Sequence, residues 1–172
     1  KLYLIKTDSA GDTTWTKMYG SPLKSAWGYS VQQTTDGGYI VTGKNEPHNG
    51  TSTDASYLVR TNATGDTLWT KNYGTYNDSY TGRAVTQTSD GGFAVSGYAN
   101  ISNSFKAFLY KTDANGDVLW SKIYPGNGES WAYGMAQTSD DGFIIVGVTN
   151  HINGGNRLFM IKTDAFGDTL GT

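Results

Sequence analysis

KTDANGDVLWSKIY, residues 111–124, occurs in four versions along this chain. The others are KTDSAGDTTWTKMY at 6–19, RTNATGDTLWTKNY at 60–73 and KTDAFGDTLG at 162–171. Asp8, Asn62, Asp113 and Asp164 mark one position in each copy, at steps of 54, 51 and 51 residues. A second marker keeps the same rhythm: TTDGGY at 34–39, TSDGGF at 88–93 and TSDDGF at 138–143. Recurrence on this scale signals a repeat architecture, in which each unit buries its faces against its neighbours.

Within a unit the side-chain period is two. YIVTG (39–43), YLVRT (57–61) and DTLWTKNY (66–73) are rich in β-branched and aromatic residues and too short for helices. No segment offers a sustained helical stripe. Each unit therefore reads as four strands: A (AVTQT, 84–88), B (FAVSG, 93–97), C (FLYKT, 108–112) and D (VLWSKIY, 118–124). DGG is a tight A–B hairpin. D-x-x-G-D is a tight C–D hairpin, fitting a type I turn followed by a glycine in the left-handed region.

The fold expected is all-β: a β-propeller-type array of four-stranded antiparallel blades, each about fifty residues long. Trp15, Trp69 and Trp120 on strand D, with Tyr39, Phe93 and Phe143 opening strand B, are the natural filling between blades. A β-solenoid is the runner-up, with shorter rungs and without this hairpin punctuation. The chain divides into a half blade (1–20), two blades (21–73 and 74–124) and a last blade with an incomplete final strand (125–172). This makes an incomplete ring of a little over three blades, whereas propellers close with roughly 4–8. Either the chain is part of a longer array, or it is an open arc that pairs exposed edge strands with other copies.

Composition narrows the function classes. The 172 residues are 37% hydrophobic and 13% aromatic, ample for a folded core. A formal net charge of −2 and the absence of a basic run argue against nucleic-acid binding. No apolar stretch approaches the roughly 20 residues of a membrane helix, so no membrane insertion is expected. There is no cysteine, which removes disulfides, thiolate metal sites and a cysteine nucleophile.

D-x-x-G-D invites a calcium reading, but its glycine falls at the fourth place and Asn62 replaces the first Asp. Position three varies among Ala10, Thr64, Asn115 and Phe166. We therefore expect a turn, with no metal and no cofactor. TNATGDTLW (61–69) looks like part of the blade motif of quinoprotein dehydrogenases, yet no residue set stands out for a quinone, its metal or its base. His48 and His151, the only histidines, lie in B–C loops outside any nucleophile motif. Four N-x-[ST] sequons occur, at Asn49, Asn62, Asn77 and Asn100, and Asn62 is the least plausible acceptor.

The A–B and C–D turns share one face and are nearly invariant, which marks them as structural. The B–C and D–A loops on the opposite face are long and varied, where binding usually resides. There Trp27, Tyr80 and Trp131 occupy what read as matching places before strand A, with Asp78 and Glu129 two residues earlier. Aromatic platforms beside carboxylates suit sugars or peptides. Packing of these aromatics against a neighbouring blade is the alternative. No catalytic residue is assigned.

The pattern K-T-D-x-x-G-D-x-x-W-x-K-x-Y-G, followed by Q-T-x-D-G-G-[YF]-x-V-x-G, resembles the repeats of large exported proteins of bacteria and archaea. Those are similar to β-propellers, and the bacterial ones often carry C-terminal sorting or adhesion modules. The resemblance spans the whole chain and implies a secreted or cell-surface setting. The function expected is a non-enzymatic scaffold, adhesion or binding module, or a building block of an extracellular assembly. Its partners would be other copies, the remainder of a longer chain, glycans or proteins. The competing class is a glycan-active or quinone-dependent enzyme with its site at the channel mouth.

Overall fold

Two-residue alternation becomes thirteen strands, with no helix among the described residues, 1–21, 25–46, 54–75, 77–126, 128–150 and 154–170 of the computed structural model. The first sheet pairs β1 (Leu2–Thr7) with β2 (Thr13–Tyr19). The second is the meander β3 (Ala26–Gln33), β4 (Tyr39–Asn45), β5 (Ala55–Thr61) and β6 (Thr67–Tyr73). The third repeats it with β7 (Ser79–Gln87), β8 (Phe93–Ile101), β9 (Ser104–Thr112) and β10 (Val118–Tyr124). The fourth holds β11 (Ser130–Gln137), β12 (Phe143–Asn150) and β13 (Asn156–Thr163), with an isolated bridge between Thr163 and Thr169. All pairings are antiparallel between chain neighbours, so strands A to D of the sequence lie side by side in order.

Three cores hold these sheets together, each between one sheet and the next. Leu2 and Tyr19 of the first sheet meet Val41, Tyr57 and Val59 of the second. Ile40 and Leu58, the alternate residues of the same strands, point the other way onto Phe93, Val95, Phe108 and Tyr110 of the third. Ala94, Ala107 and Leu109 then face Phe143 and Ile145 of the fourth. Inner sheets are thus covered on both faces, and β8 is buried without interruption from Phe93 to Gly97 where one-sided strands alternate. Ser56 and Tyr110 share a 2.9 Å hydrogen bond between the second and third sheets.

The turns take the expected form. Asp8 N–H donates to Asp12 O and Gly11 N–H to Asp8 O, and the other three copies repeat this. The glycine is left-handed each time, at φ +88°, +78°, +82° and +78°. Asp8 Oδ1 accepts from the N–H groups of Ala10 and Asp12, and Asn62 Oδ1 does the same for Thr64 and Asp66. Asn can replace Asp here because the turn uses a carbonyl-like oxygen.

One loop differs from expectation. Residues 98–107, read as a varied B–C loop, are instead the ends of β8 and β9 around a two-residue turn at Ser102 and Asn103, both at positive φ. Asn tolerates that region well enough to close a tight hairpin. Asn100 therefore sits in a strand with a buried Oδ1, a poor place for a glycan. His48, His151 and Asn49 lie outside the described residues.

Candidate functional site

Strand D places Trp, Lys and Tyr at alternate positions, so all three reach the same way, toward the next unit. There they close on its C–D turn. Trp15, Trp69 and Trp120 stand edge-on to Tyr39, Phe93 and Phe143, at 5.7, 5.8 and 5.9 Å between ring centres. The rings of these tryptophans also cover Gly65, Gly116 and Gly167, where an added Cβ would meet the indole at 2.9, 3.0 and 2.7 Å. Gly11, in the first copy, has nothing within 4 Å of that point.

The polar members follow the same rule. Tyr19, Tyr73 and Tyr124 donate their hydroxyls to the carbonyls of Gly65, Gly116 and Gly167 at 2.7, 2.6 and 2.9 Å. Lys17, Lys71 and Lys122 pair with Asp66, Asp117 and Asp168 at 2.7, 2.5 and 2.6 Å. Burial, then the nearby Asp carboxylates, push the Tyr73 and Tyr124 phenols well above their ordinary range. The hydrogen bond from Lys17, with Thr64 and Asn62, lowers Asp66 to about 2. At three junctions the Trp, Lys and Tyr of W-x-K-x-Y thus close on the Gly and Asp of the following G-D, forming a clasp between successive units.

A second set of bonds ties each unit to itself. Arg60, Lys111 and Lys162, at the head of the T-D or T-N pair, reach Asp36, Asp90 and Asp140 of the DGG-type turn. The Thr34 hydroxyl, then Arg60, holds Asp36 well below the usual carboxylate range, and Lys162, then the Thr138 hydroxyl, does the same for Asp140. Burial works against Asp90, but its bonds from Lys111 and Thr88 win and leave it at about 2.

The opposite ends of the strands carry the residues singled out for binding, and register corrects their alignment. Trp27 lies opposite Lys44 and Trp131 opposite Val148, while the equivalent place in the third sheet is Thr81, opposite Tyr98. Tyr80 is one residue out of step, which turns it to the other face. It packs on Phe108, 5.5 Å between ring centres, against the core of the second and third sheets. The same offset separates Asp78 from Glu129. Asp78 Oδ2 accepts the Thr75 hydroxyl at 2.8 Å, and Glu129 Oε1 accepts the Phe105 N–H at 3.4 Å. Trp27, 38% exposed, carries the Lys44 ammonium 4.3 Å from its ring centre, and Trp131 lies on Phe105 at 5.4 Å. The five residues thus do not gather into one ring.

A different set does gather. Each first strand bulges once, between Gly28 and Ser30, Gly82 and Ala84, and Ala132 and Gly134. The extra residues are Tyr29, Arg83 and Tyr133. A bulged residue is released from the ladder and can be re-aimed. The Arg83 guanidinium lies 4.3 Å from the Tyr29 ring centre and 5.2 Å from that of Tyr133, joining three successive units. Tyr98 stands edge-on to Tyr133 at 6.4 Å and to Phe105 at 5.8 Å. Counting back from each Q-T pair aligns 29, 83 and 133, and the glycine beside each (Gly28, Gly82 and Gly134) is the residue type that marks a bulge. Compared with known proteins, the chain matches no family model and no curated protein.

Proposed function

We propose that the chain is a β-propeller-type array serving as a non-enzymatic scaffold and binding module of an exported or cell-surface protein. The observation that carries this reading is the clasp. Its Trp, Lys and Tyr recur at each of three junctions, so the most repeated residues serve assembly of units. The carboxylates Asp78 and Glu129 are engaged in local hydrogen bonds. The exported setting rests on the resemblance of the repeat.

The two end sheets support the partner reading. Tyr3 and Ile5 are exposed, yet they hold the places of Tyr57 and Val59, which the second sheet buries. Leu158 and Met160 are exposed where Ala107 and Leu109 are buried. These faces suit another unit of the same repeat, supplied by a second copy or by the remainder of a longer chain. Native mass across a dilution series tests association of copies. Multiples of 18.6 kDa are expected, and a strict monomer at every concentration overturns it. Release of reducing ends from a glycan panel would overturn the non-enzymatic reading.

A further inference from the structure

We propose that the Tyr29–Arg83–Tyr133 stack binds a carboxylate-bearing polysaccharide, a polymer of uronic acid sugars. The inference rests on the binding-module reading and names its ligand class.

Placement is the first reason. The three side chains come from the bulges of three consecutive strands, so no single unit makes the site. Tyr29 and Tyr133 are 39% and 46% exposed, far more than the ring pairs that fill the cores. The extra residues of the bulges contribute nothing to the strand ladder.

Chemistry is the second. Among the described residues, no carboxylate lies within ion-pair distance of Arg83, whereas Lys44, Arg60 and Lys111 each have one. A guanidinium over aromatic faces is held by cation–π attraction while its N–H donors project from its rim. Those donors form a planar fork that matches a carboxylate with two parallel hydrogen bonds. The Tyr rings on either side, two units apart with Arg83 between them, offer apolar surface for pyranose C–H groups. Trp27 and Tyr98 extend this surface around Lys44, whose charge Asp54 already balances at 2.8 Å. The site therefore carries one unbalanced positive charge beside several rings. The chain as a whole is at −2, so diffuse attraction cannot account for capture of a polyanion.

The test is titration of the 172-residue chain with polygalacturonate, its full methyl ester and dextran sulfate, followed by tyrosine and tryptophan fluorescence and by calorimetry. Polygalacturonate should bind, and the uncharged ester should bind at least about tenfold more weakly, as loss of a charge-assisted hydrogen bond requires. Arg83→Gln should cost about tenfold to a hundredfold. Arg83→Lys should recover only part of the loss, because an ammonium has no fork. Tyr29→Ser with Tyr133→Ser should weaken binding while Arg83 stays. Melting curves of each variant show whether it folds, and the ester comparison needs no variant. Equal binding of the ester, equal binding of dextran sulfate with Arg83→Gln unaffected, or no binding of polygalacturonate would each overturn the site. If the wild-type chain binds no uronate while the clasp variants below behave as expected, the site fails and the scaffold reading stands.

Discussion

Gly116→Ala and Gly91→Ala form a matched pair that isolates the clasp. Both glycines lie in turns of the third sheet, at φ +82° and +83°. An alanine pays the same left-handed penalty at either, about 1–2 kcal/mol. Their surroundings differ. At Gly91 an added Cβ meets nothing within 4 Å. At Gly116 it meets Trp69 at 3.0 Å and the Tyr73 hydroxyl at 3.0 Å. Tyr73 cannot retreat without breaking its 2.6 Å bond to Gly116 O, nor Trp69 without leaving Phe93. Overpacking of this kind adds about 1–3 kcal/mol. At about 2–4 °C per kcal/mol for a chain of this size, Gly116→Ala should melt about 2–12 °C below Gly91→Ala. Differential scanning calorimetry on the two variants reads this directly. Gly11→Ala, whose turn is uncovered, should behave like Gly91→Ala. Equal melting temperatures for Gly91→Ala and Gly116→Ala would refute the packing of strand D on the following turn.

Three further outcomes follow from the same contacts. An added Cβ on Gly92 would run into the carbonyl oxygen of Thr112, so Gly92→Ala should cost at least about 3 kcal/mol in urea unfolding, although this glycine needs no left-handed φ. Asp36, Asp66, Asp90 and Asp140 all ionise more readily when folded, so their contribution is complete above their ordinary pKa of about 3.9 and is lost as pH falls toward 2. Thermal melts from pH 5 to 2 should show that decline, and Asp90→Asn should flatten it. Tyr19, Tyr57, Tyr73, Tyr80, Tyr110 and Tyr124 resist ionisation through burial, so stability should hold up to about pH 10 and fall above it, with phenolate absorbance rising together with unfolding.

The strands, their order and the turn types were legible because each rests on local chemistry: alternation, D-x-x-G-D and DGG. Trp15, Trp69 and Trp120 were legible as packing between units because an aromatic recurring at a fixed step has to be covered by something that recurs with it. The partners of Lys17, Lys71 and Lys122 were not, since Asp66, Asp117 and Asp168 lie 46 to 49 residues away in the chain. Only the stacking of sheets brings them within reach. The aromatics before strand A were misaligned for a related reason. Tyr80 resembles Trp27 and Trp131 in type, and spacing to the preceding loop matched them, but pairing to Ala99 sets its true register. Type matched while face did not, because side chains alternate and one residue reverses them. The Tyr29–Arg83–Tyr133 stack depends on three bulges in strand A, beside strand B glycines (Gly43, Gly97 and Gly147) where an added Cβ would run into the carbonyls of Trp27, Thr81 and Trp131.

Proton NMR of the turn glycines tests the clasp most directly. Gly11, Gly65, Gly116 and Gly167 occupy the same left-handed position, yet only the last three lie beneath an indole ring. The account predicts upfield ring-current shifts for the Hα protons of Gly65, Gly116 and Gly167, with cross-relaxation to Trp15, Trp69 and Trp120 respectively, and an unshifted Gly11. Uniform shifts across all four glycines, with no cross-relaxation to tryptophan, would contradict the joining of successive units through strand D.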